Sequence, residues 1–133
     1  MKHLVFVYGS LKKGFSNHYW MEGVKGKFIG NGVTKEPKFK LYSFQDMYPA
    51  ISFGDEKISG ELYKVNNIGL RYLDYLEGYP SYYNREKFLI DCDGKTYKAF
   101  IYYIDNVKNT FGKELPSESE RIKRENNIAT WIN

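Results

Sequence analysis

Val5-Phe6-Val7-Tyr8-Gly9-Ser10-Leu11 is the stretch that decides the fold of this chain. Its first half continues an apolar run from Leu4, and such a run is typical of a central strand covered on both faces. Gly9 ends the run, and we expect it to supply a positive φ and to let a ligand approach closely. Consecutive backbone N–H groups over Tyr8, Gly9, Ser10 and Leu11 can form a concave site for an anion. An ordinary turn after a strand fits the same four residues.

Residues 66–80 predict a helix that ends on a carboxylate. Asn66 or Asn67 is a favourable N-cap, while Gly78 and the following proline favour an end just after Glu77. The negative end of the helix dipole and nearby tyrosine rings both favour the protonated form of Glu77 and raise its pKa. Such a carboxyl is a suitable general base near neutral pH. A solvated glutamate at a frayed helix end is the alternative.

The rest of the sequence predicts an α+β domain that spans residues 1–133. Strands are expected at residues 27–34, 38–44, 57–65, 86–92 and 95–104, a short helix ends near Gly23, and residues 47–51 are expected to form an irregular loop. Ser117 and Glu120 match a capping box, which predicts a final helix that runs to about Trp131. These elements do not alternate regularly, so we expect a small mixed β-barrel or a strongly curled sheet with flanking helices.

Composition narrows the classes of partner. The formal net charge is only +4, from 20 basic and 16 acidic residues, and the charges are interspersed. We therefore expect no nucleic-acid partner. An RNA-binding β-domain that uses exposed tyrosines is the alternative hypothesis. No apolar run approaches the 18 or so residues of a membrane span, and no signal peptide is visible. The single cysteine, Cys92, is consistent with a reducing compartment. These features favour a cytoplasmic protein with no membrane partner.

Arg85 and the two histidines are further candidates for ligand contacts. Arg85 follows an aromatic cluster and either binds a substrate carboxylate or forms a structural ion pair, for example with Asp74. His3 and His18 are not spaced as a metal pair, and no cluster of cysteine, histidine and carboxylate residues is evident. We therefore expect no metal and no cofactor.

Both motifs resemble the signatures of the gamma-glutamylcyclotransferase-like family, which includes the gamma-glutamylaminecyclotransferases. Residues 7–17, VYGSLKKGFSN, resemble its N-terminal signature. Residues 73–85 match its second signature, which here is Leu-Asp-x-x-Glu-Gly-x-Pro-x-x-Tyr-x-Arg. Residues 48–51 and 60–63 resemble intervening segments. The resemblance runs in order over about residues 4–104.

The resemblance implies a small mixed barrel with flanking helices and an enzyme that needs no cofactor. In the implied reaction, the alpha-amine of a gamma-glutamyl substrate attacks its own gamma-carbonyl, which gives 5-oxoproline and a free amine. The catalytic glutamate corresponds to Glu77, the residues that cradle the substrate to Tyr8, Gly9, Ser10 and Leu11, and the second motif adds Tyr83 and Arg85 as substrate-binding residues. A non-catalytic module that binds a small anion is the alternative. The leaving amine and the oligomeric state stay open.

Overall fold

The computed structural model describes residues 1–108 and 112–133 of the chain. In chain order, the elements in these residues are β1 (Lys2–Val7), α1 (His18–Gly23), β2 (Lys27–Thr34), β3 (Phe39–Phe44), β4 (Tyr48–Phe53), β5 (Lys57–Asn66), α2 (Asn67–Glu77), β6 (Asn84–Cys92), β7 (Lys95–Tyr103), β8 (Ile122–Glu125) and β9 (Ile128–Trp131). Five of the strands close into a ring in the order β1–β7–β6–β2–β5, because β5 also pairs with β1. The predicted α+β class and small mixed barrel are confirmed.

Strand β1 lies at the centre of the packing. It pairs antiparallel with β5 over its whole length and parallel with β7 at Val5. Alternate side chains enter different buried clusters: Val5 and Val7 pack in a cluster that includes α2, whereas Phe6 and Tyr8 pack with strands β5, β6 and β7. Apolar contacts therefore cover both faces, as the unbroken apolar run predicted.

Helix α2 begins and ends where the sequence indicated. The Asn66 side-chain oxygen accepts a hydrogen bond from the Gly69 N–H at 2.7 Å, which caps the first turn. Gly78 has φ 69° in the left-handed region, where glycine carries no steric penalty, and the helix stops there. Leu70 and Leu73 are buried against the barrel, so the orientation of the final turn is fixed by packing.

Residues 47–51, which were predicted to form an irregular loop, lie almost entirely in strand β4, so this prediction was wrong. Strand β4 pairs antiparallel with β3 through a tight turn at Gln45 and Asp46, which both have positive φ. The Ser43 hydroxyl accepts the Asp46 N–H and stabilises the turn. Pro49 lacks an N–H, but this two-stranded sheet leaves strand edges where no such donor is needed.

The predicted helix from Ser117 to Trp131 was also wrong, because the segment forms a β-hairpin. Strands β8 and β9 pair around Asn126 and Asn127, whose φ values are 54° and 60°. Two consecutive left-handed residues build the turn that suits a hairpin, and asparagine tolerates this conformation. Strand β9 then adds to β5, with Ala129 and Trp131 fully buried. Burial of Ala129 and Trp131 in the strand pairing outweighs the helix signal of the capping box at Ser117 and Glu120.

Among the residues that the structure describes, no helix is long and apolar enough to cross a membrane. Cys92 is a free thiol, buried in the barrel wall.

Candidate active site

A cavity of about 430 Å³ opens beside the C-terminal end of β1. Four segments that are distant in sequence form its walls. They are the end of β1 with the following loop (Phe6, Val7, Tyr8, Gly9, Ser10, Leu11, Ser16, Asn17), the start of β4 (Met47, Tyr48, Pro49), the end of α2 with the following turn (Leu76, Glu77, Tyr82, Tyr83), and Tyr102 of β7. The structure thus brings Glu77, Tyr83 and the loop residues Tyr8 to Leu11 together.

Glu77 is the carboxylate of this cavity. The end of α2 directs its half-buried side chain to the cavity wall, and burial raises the pKa of Glu77 to about 7. Its carboxyl accepts no hydrogen bond from any residue in the described ranges. A group that is half protonated at neutral pH and has no protein partner can both accept and return a proton.

The loop after β1 offers backbone donors on the same cavity. Within residues 1–108 and 112–133, the N–H groups of Gly9, Ser10 and Leu11 have no hydrogen-bond acceptor. The carbonyl groups are engaged instead: Gly9 O accepts the Lys12 N–H at 3.0 Å, and Ser10 O accepts the Asn17 N–H at 3.0 Å. Because this loop is fixed through its carbonyls, its free N–H groups are available to an anionic ligand.

Gly9 is required for a different reason than the sequence suggested. Its φ does not lie in the left-handed region, so the expected positive φ was wrong. A Cβ at this position would lie 2.5 Å from Pro49 Cγ and 2.9 Å from Pro49 Cδ. Only glycine therefore lets the loop pack against the start of β4 and close this wall of the cavity.

Three buried tyrosines, Tyr8, Tyr83 and Tyr102, lie near Glu77. The Tyr8 hydroxyl donates to the Tyr102 carbonyl at 2.8 Å, and the Tyr83 hydroxyl donates to the Pro49 carbonyl at 3.3 Å. Burial first, and then neighbouring groups that include Glu77, raise the pKa of Tyr8 and of Tyr83 well above the usual range. Both therefore stay neutral, and they form an uncharged wall beside the carboxyl.

Arg85 lies apart from these residues. It is not among the residues that line the cavity, and its guanidinium forms two hydrogen bonds to Asp74, at 2.6 and 3.0 Å. Asp74 also accepts the Tyr102 hydroxyl at 2.6 Å. The structure thus gives Arg85 the ion pair that the sequence left open, and its contact with substrate stays a prediction. Any influence on the cavity would pass through Asp74 and Tyr102.

The C-terminal hairpin braces two walls of the cavity. Lys12 Nζ donates to the Trp131 carbonyl at 2.6 Å, which ties the loop after β1 to β9. On the other side, the Arg121 guanidinium donates to the carbonyls of Asp46 and Met47 at 2.9 and 3.2 Å. A segment outside the recognised motifs therefore helps to set the shape of the cavity.

Sequence reasoning missed Tyr102 and Met47 as lining residues. Tyr102 carries no local signal, because only barrel closure brings β7 beside α2. Met47 directly precedes the recognised segment 48–51, so extending that segment by one residue would have included it. In the described part of the chain, no group of three or more histidine, cysteine or carboxylate side chains is arranged to hold a metal.

The sequence matches a known protein family over most of its length. The family model for gamma-glutamyl cyclotransferase, AIG2-like, matches residues 5–124 of this chain. The chain belongs to this family. It is thus a gamma-glutamylcyclotransferase-like protein, and the resemblance recognised in the sequence is confirmed.

Relatives and solved structures agree with this assignment. A Methanocaldococcus jannaschii protein named "Putative gamma-glutamylcyclotransferase" is 45% identical over 104 residues, which cover 74% of this chain and 82% of that protein. Gamma-glutamylaminecyclotransferase C of Danio rerio is 34% identical over 112 residues, or 75% of this chain and 74% of the relative. The crystal structure of a mouse AIG2-like protein superimposes with a TM-score of 0.70 at 26% identity and covers 94% of this chain and 98% of that one.

Proposed function

We propose that the protein is a gamma-glutamyl (amine) cyclotransferase in which Glu77 is the general acid and base. One observation carries the proposal: a carboxyl with a pKa of about 7 shares a cavity with a loop whose backbone N–H groups lack protein acceptors. Proton transfer and stabilisation of an anionic group are the two tasks that this reaction sets. Membership of the family supports the same chemistry.

The reaction is an internal transfer that consumes no water. The alpha-nitrogen of the substrate attacks the gamma-carbonyl carbon, so a new C–N bond closes the five-membered ring. The bond from the same carbon to the leaving amine breaks. The alpha-nitrogen loses two protons, one from the ammonium group before it attacks and one as the lactam forms. Glu77 accepts each in turn and passes it to the leaving nitrogen. The products are 5-oxoproline and the amine as its ammonium ion, and Glu77 ends as the carboxylate from which it started.

The properties of Glu77 suit both halves of this proton transfer. With a pKa near 7, the carboxylate and the carboxylic acid are both populated at neutral pH. A positioned group of this kind accelerates a reaction by about 10²–10⁴-fold. The unpartnered carboxyl would also gain a charge-assisted hydrogen bond from the substrate ammonium group.

The loop supplies the second contribution. The N–H groups of Gly9, Ser10 and Leu11 would bind either the alpha-carboxylate or the oxyanion that develops on the gamma-carbonyl. One donor aimed at an oxyanion is worth about 2.7–4 kcal/mol in an acyl-transfer reaction. Tyr83 would pack against the substrate from the opposite wall, and holding the chain folded brings the amine to the carbonyl.

The test is release of 5-oxoproline from a set of gamma-glutamyl amines by the parent and by Glu77→Gln. The parent should turn over at least one substrate, and the variant should be at least 100-fold slower at saturation, which is the lower end of what a general base contributes. A variant with parental turnover would show that Glu77 is not the base. If neither protein releases 5-oxoproline and both bind it, a non-catalytic module that binds small anions replaces the enzyme.

A further inference from the structure

A second cavity, of about 540 Å³, lies between the two helices. It shares no lining residue with the cavity around Glu77, because it lies at the other end of both α1 and α2. Gly69 is buried at this end, and a Cβ there would lie 3.4 Å from the Val24 Cβ, so the start of α2 packs closely against the end of α1. Contact between the helices therefore fixes the position of this separate cavity.

Three aromatic rings form one wall of the second cavity. Trp20 contacts both Tyr19 and Tyr72, with ring centroids 5.1 and 5.4 Å apart. Tyr19 and Tyr72 are 57% and 46% exposed, so much of this ring surface lies in water. A flat ring that packs on the wall would remove apolar surface from water and gain aromatic contacts. The wall therefore suits an aromatic ligand.

The second cavity carries a single charge. Among the described residues that line it, Lys25 is the only one of the aspartate, glutamate, lysine, arginine and histidine types. Its ammonium group makes no hydrogen bond and no ion pair within residues 1–108 and 112–133, not even with Glu22 one turn earlier. The Asn66 Oδ1 accepts the Gly69 N–H, which leaves the Asn66 Nδ2 without an acceptor in the same residues. Both free groups are donors, so the cavity favours an anion.

Lys25 occupies a backbone position that usually favours glycine. Its φ of 56° lies in the left-handed region just past the end of α1, where residues other than glycine carry a steric cost. Its N–H donates to the Glu22 carbonyl and the Gly26 N–H donates to the Met21 carbonyl, each at 2.9 Å. A lysine here can bind the last helix carbonyls, but in the described chain the Lys25 ammonium group donates to none of them. Capping therefore explains the backbone conformation and not the lysine side chain.

We propose that the second cavity binds a small aromatic carboxylate, with the ring on Trp20 and Tyr72 and the carboxylate on Lys25. The carboxylate would accept a charge-assisted hydrogen bond from the lysine and a second hydrogen bond from the Asn66 amide. An aromatic amine of the same size would gain the ring contacts but would be repelled by Lys25. The proposal does not depend on the proposed function, because neither Glu77 nor the loop after β1 takes part.

Isothermal titration calorimetry with 2-naphthoate, 2-naphthylmethanol and 2-naphthylmethylamine separates the contributions of ring and charge. We expect the parent to bind 2-naphthoate about 5-fold more tightly than the neutral alcohol, as a partly exposed ion pair would give, and to bind the amine most weakly. Lys25→Gln should bring the affinities for the carboxylate and the alcohol to within about 2-fold of each other. Tyr72→Ser should weaken binding of both about 10-fold, because it removes one ring of the wall.

Two further variants are matched controls. Lys98→Gln removes the same charge from an exposed residue that lines neither cavity, and Tyr75→Ser removes a ring of α2 that is 86% exposed and also lines neither. Both should bind the three probes as the parent does.

Three results would overturn the proposal: equal affinity for all three probes, no binding of 2-naphthoate at millimolar concentration, or binding that neither Lys25→Gln nor Tyr72→Ser weakens. The last result would place the probe elsewhere on the protein. Sedimentation of the protein alone tests the other occupant of this surface. A parent dimer that Tyr72→Ser dissociates would assign the second cavity to a contact with a second copy of the chain, and the proposal would fail.

Discussion

Replacing Glu77 by glutamine should make the protein more stable at alkaline pH and nearly inactive at every pH. Burial raises the pKa of Glu77 from an ordinary value of 4.5 to about 7, so the folded protein binds this proton more tightly than the unfolded chain. The favourable contribution is fully present below pH 4.5 and is lost as the pH rises through 7. Glutamine stays neutral throughout and has nearly the same shape.

The magnitude follows from the pKa difference. One pKa unit corresponds to about 1.4 kcal/mol, so the rise from 4.5 to about 7 means that an ionised Glu77 lowers the free energy of unfolding by at most about 3–4 kcal/mol above pH 8. Part of that is offset because the carboxyl borders an open cavity. We therefore expect Glu77→Gln and the parent to unfold alike near pH 4, and the variant to be more stable by about 1–3 kcal/mol at pH 8.

Urea denaturation at intervals from pH 4 to pH 8.5 measures the difference directly. In parallel, kcat/KM of the parent should rise with pH through an apparent pKa near 7, and the variant should lack this limb. If the two proteins have the same stability at every pH, Glu77 is not desolvated, and the reasoning that makes it a base at neutral pH fails.

Three further substitutions test other parts of the structure. Gly9→Ala should lower kcat/KM more than 10-fold, because the added Cβ would overlap the Pro49 ring. Gly23→Ala is the control and should leave kcat/KM unchanged, because no atom lies within 4 Å of its Cβ. Equal activities of the two variants would show that packing of Gly9 against Pro49 does not shape the cavity. Arg85→Lys loses the two hydrogen bonds to Asp74, so the thermal stability should fall while kcat/KM at 20 °C changes less than 3-fold. If kcat/KM of the folded variant falls further than that, Arg85 contacts the substrate. The Arg124 guanidinium pairs with the buried carboxylate of Glu56 at 2.9 Å. Arg124→Met removes this cation and should lower the free energy of unfolding by about 3 kcal/mol in urea denaturation, and an unchanged midpoint would contradict that.

The sequence predicted those parts of the fold that local patterns determine. The caps of α2 at Asn66 and Gly78 were recognised because each is specified by a few adjacent residues. Glu77 was identified for the same reason, since it is the last residue of a helix with a clear stop signal.

The remaining parts depend on contacts between distant segments. The C-terminal hairpin was predicted as a helix because only pairing with β5 and burial of Trp131 reveal the strands. Strand β4 was missed because its turn has Gln45 and Asp46 in place of the usual glycine signal. Tyr102 joins the site through barrel closure, which no sequence pattern near it indicates.

Closure of the barrel has a consequence for synthesis of the protein. Strand β1 is made first, yet its pairing partners come much later: Leu4 lies opposite Lys64, and Val5 opposite Phe100. Pairing between segments so distant in sequence is slow, and the edge of β1 that pairs with β7 has no partner on the nascent chain until β7 has been translated. We therefore expect β1 to be the segment that a chaperone shields. The cavity around Glu77 can form only after β7, the last barrel strand in chain order, has paired with β1.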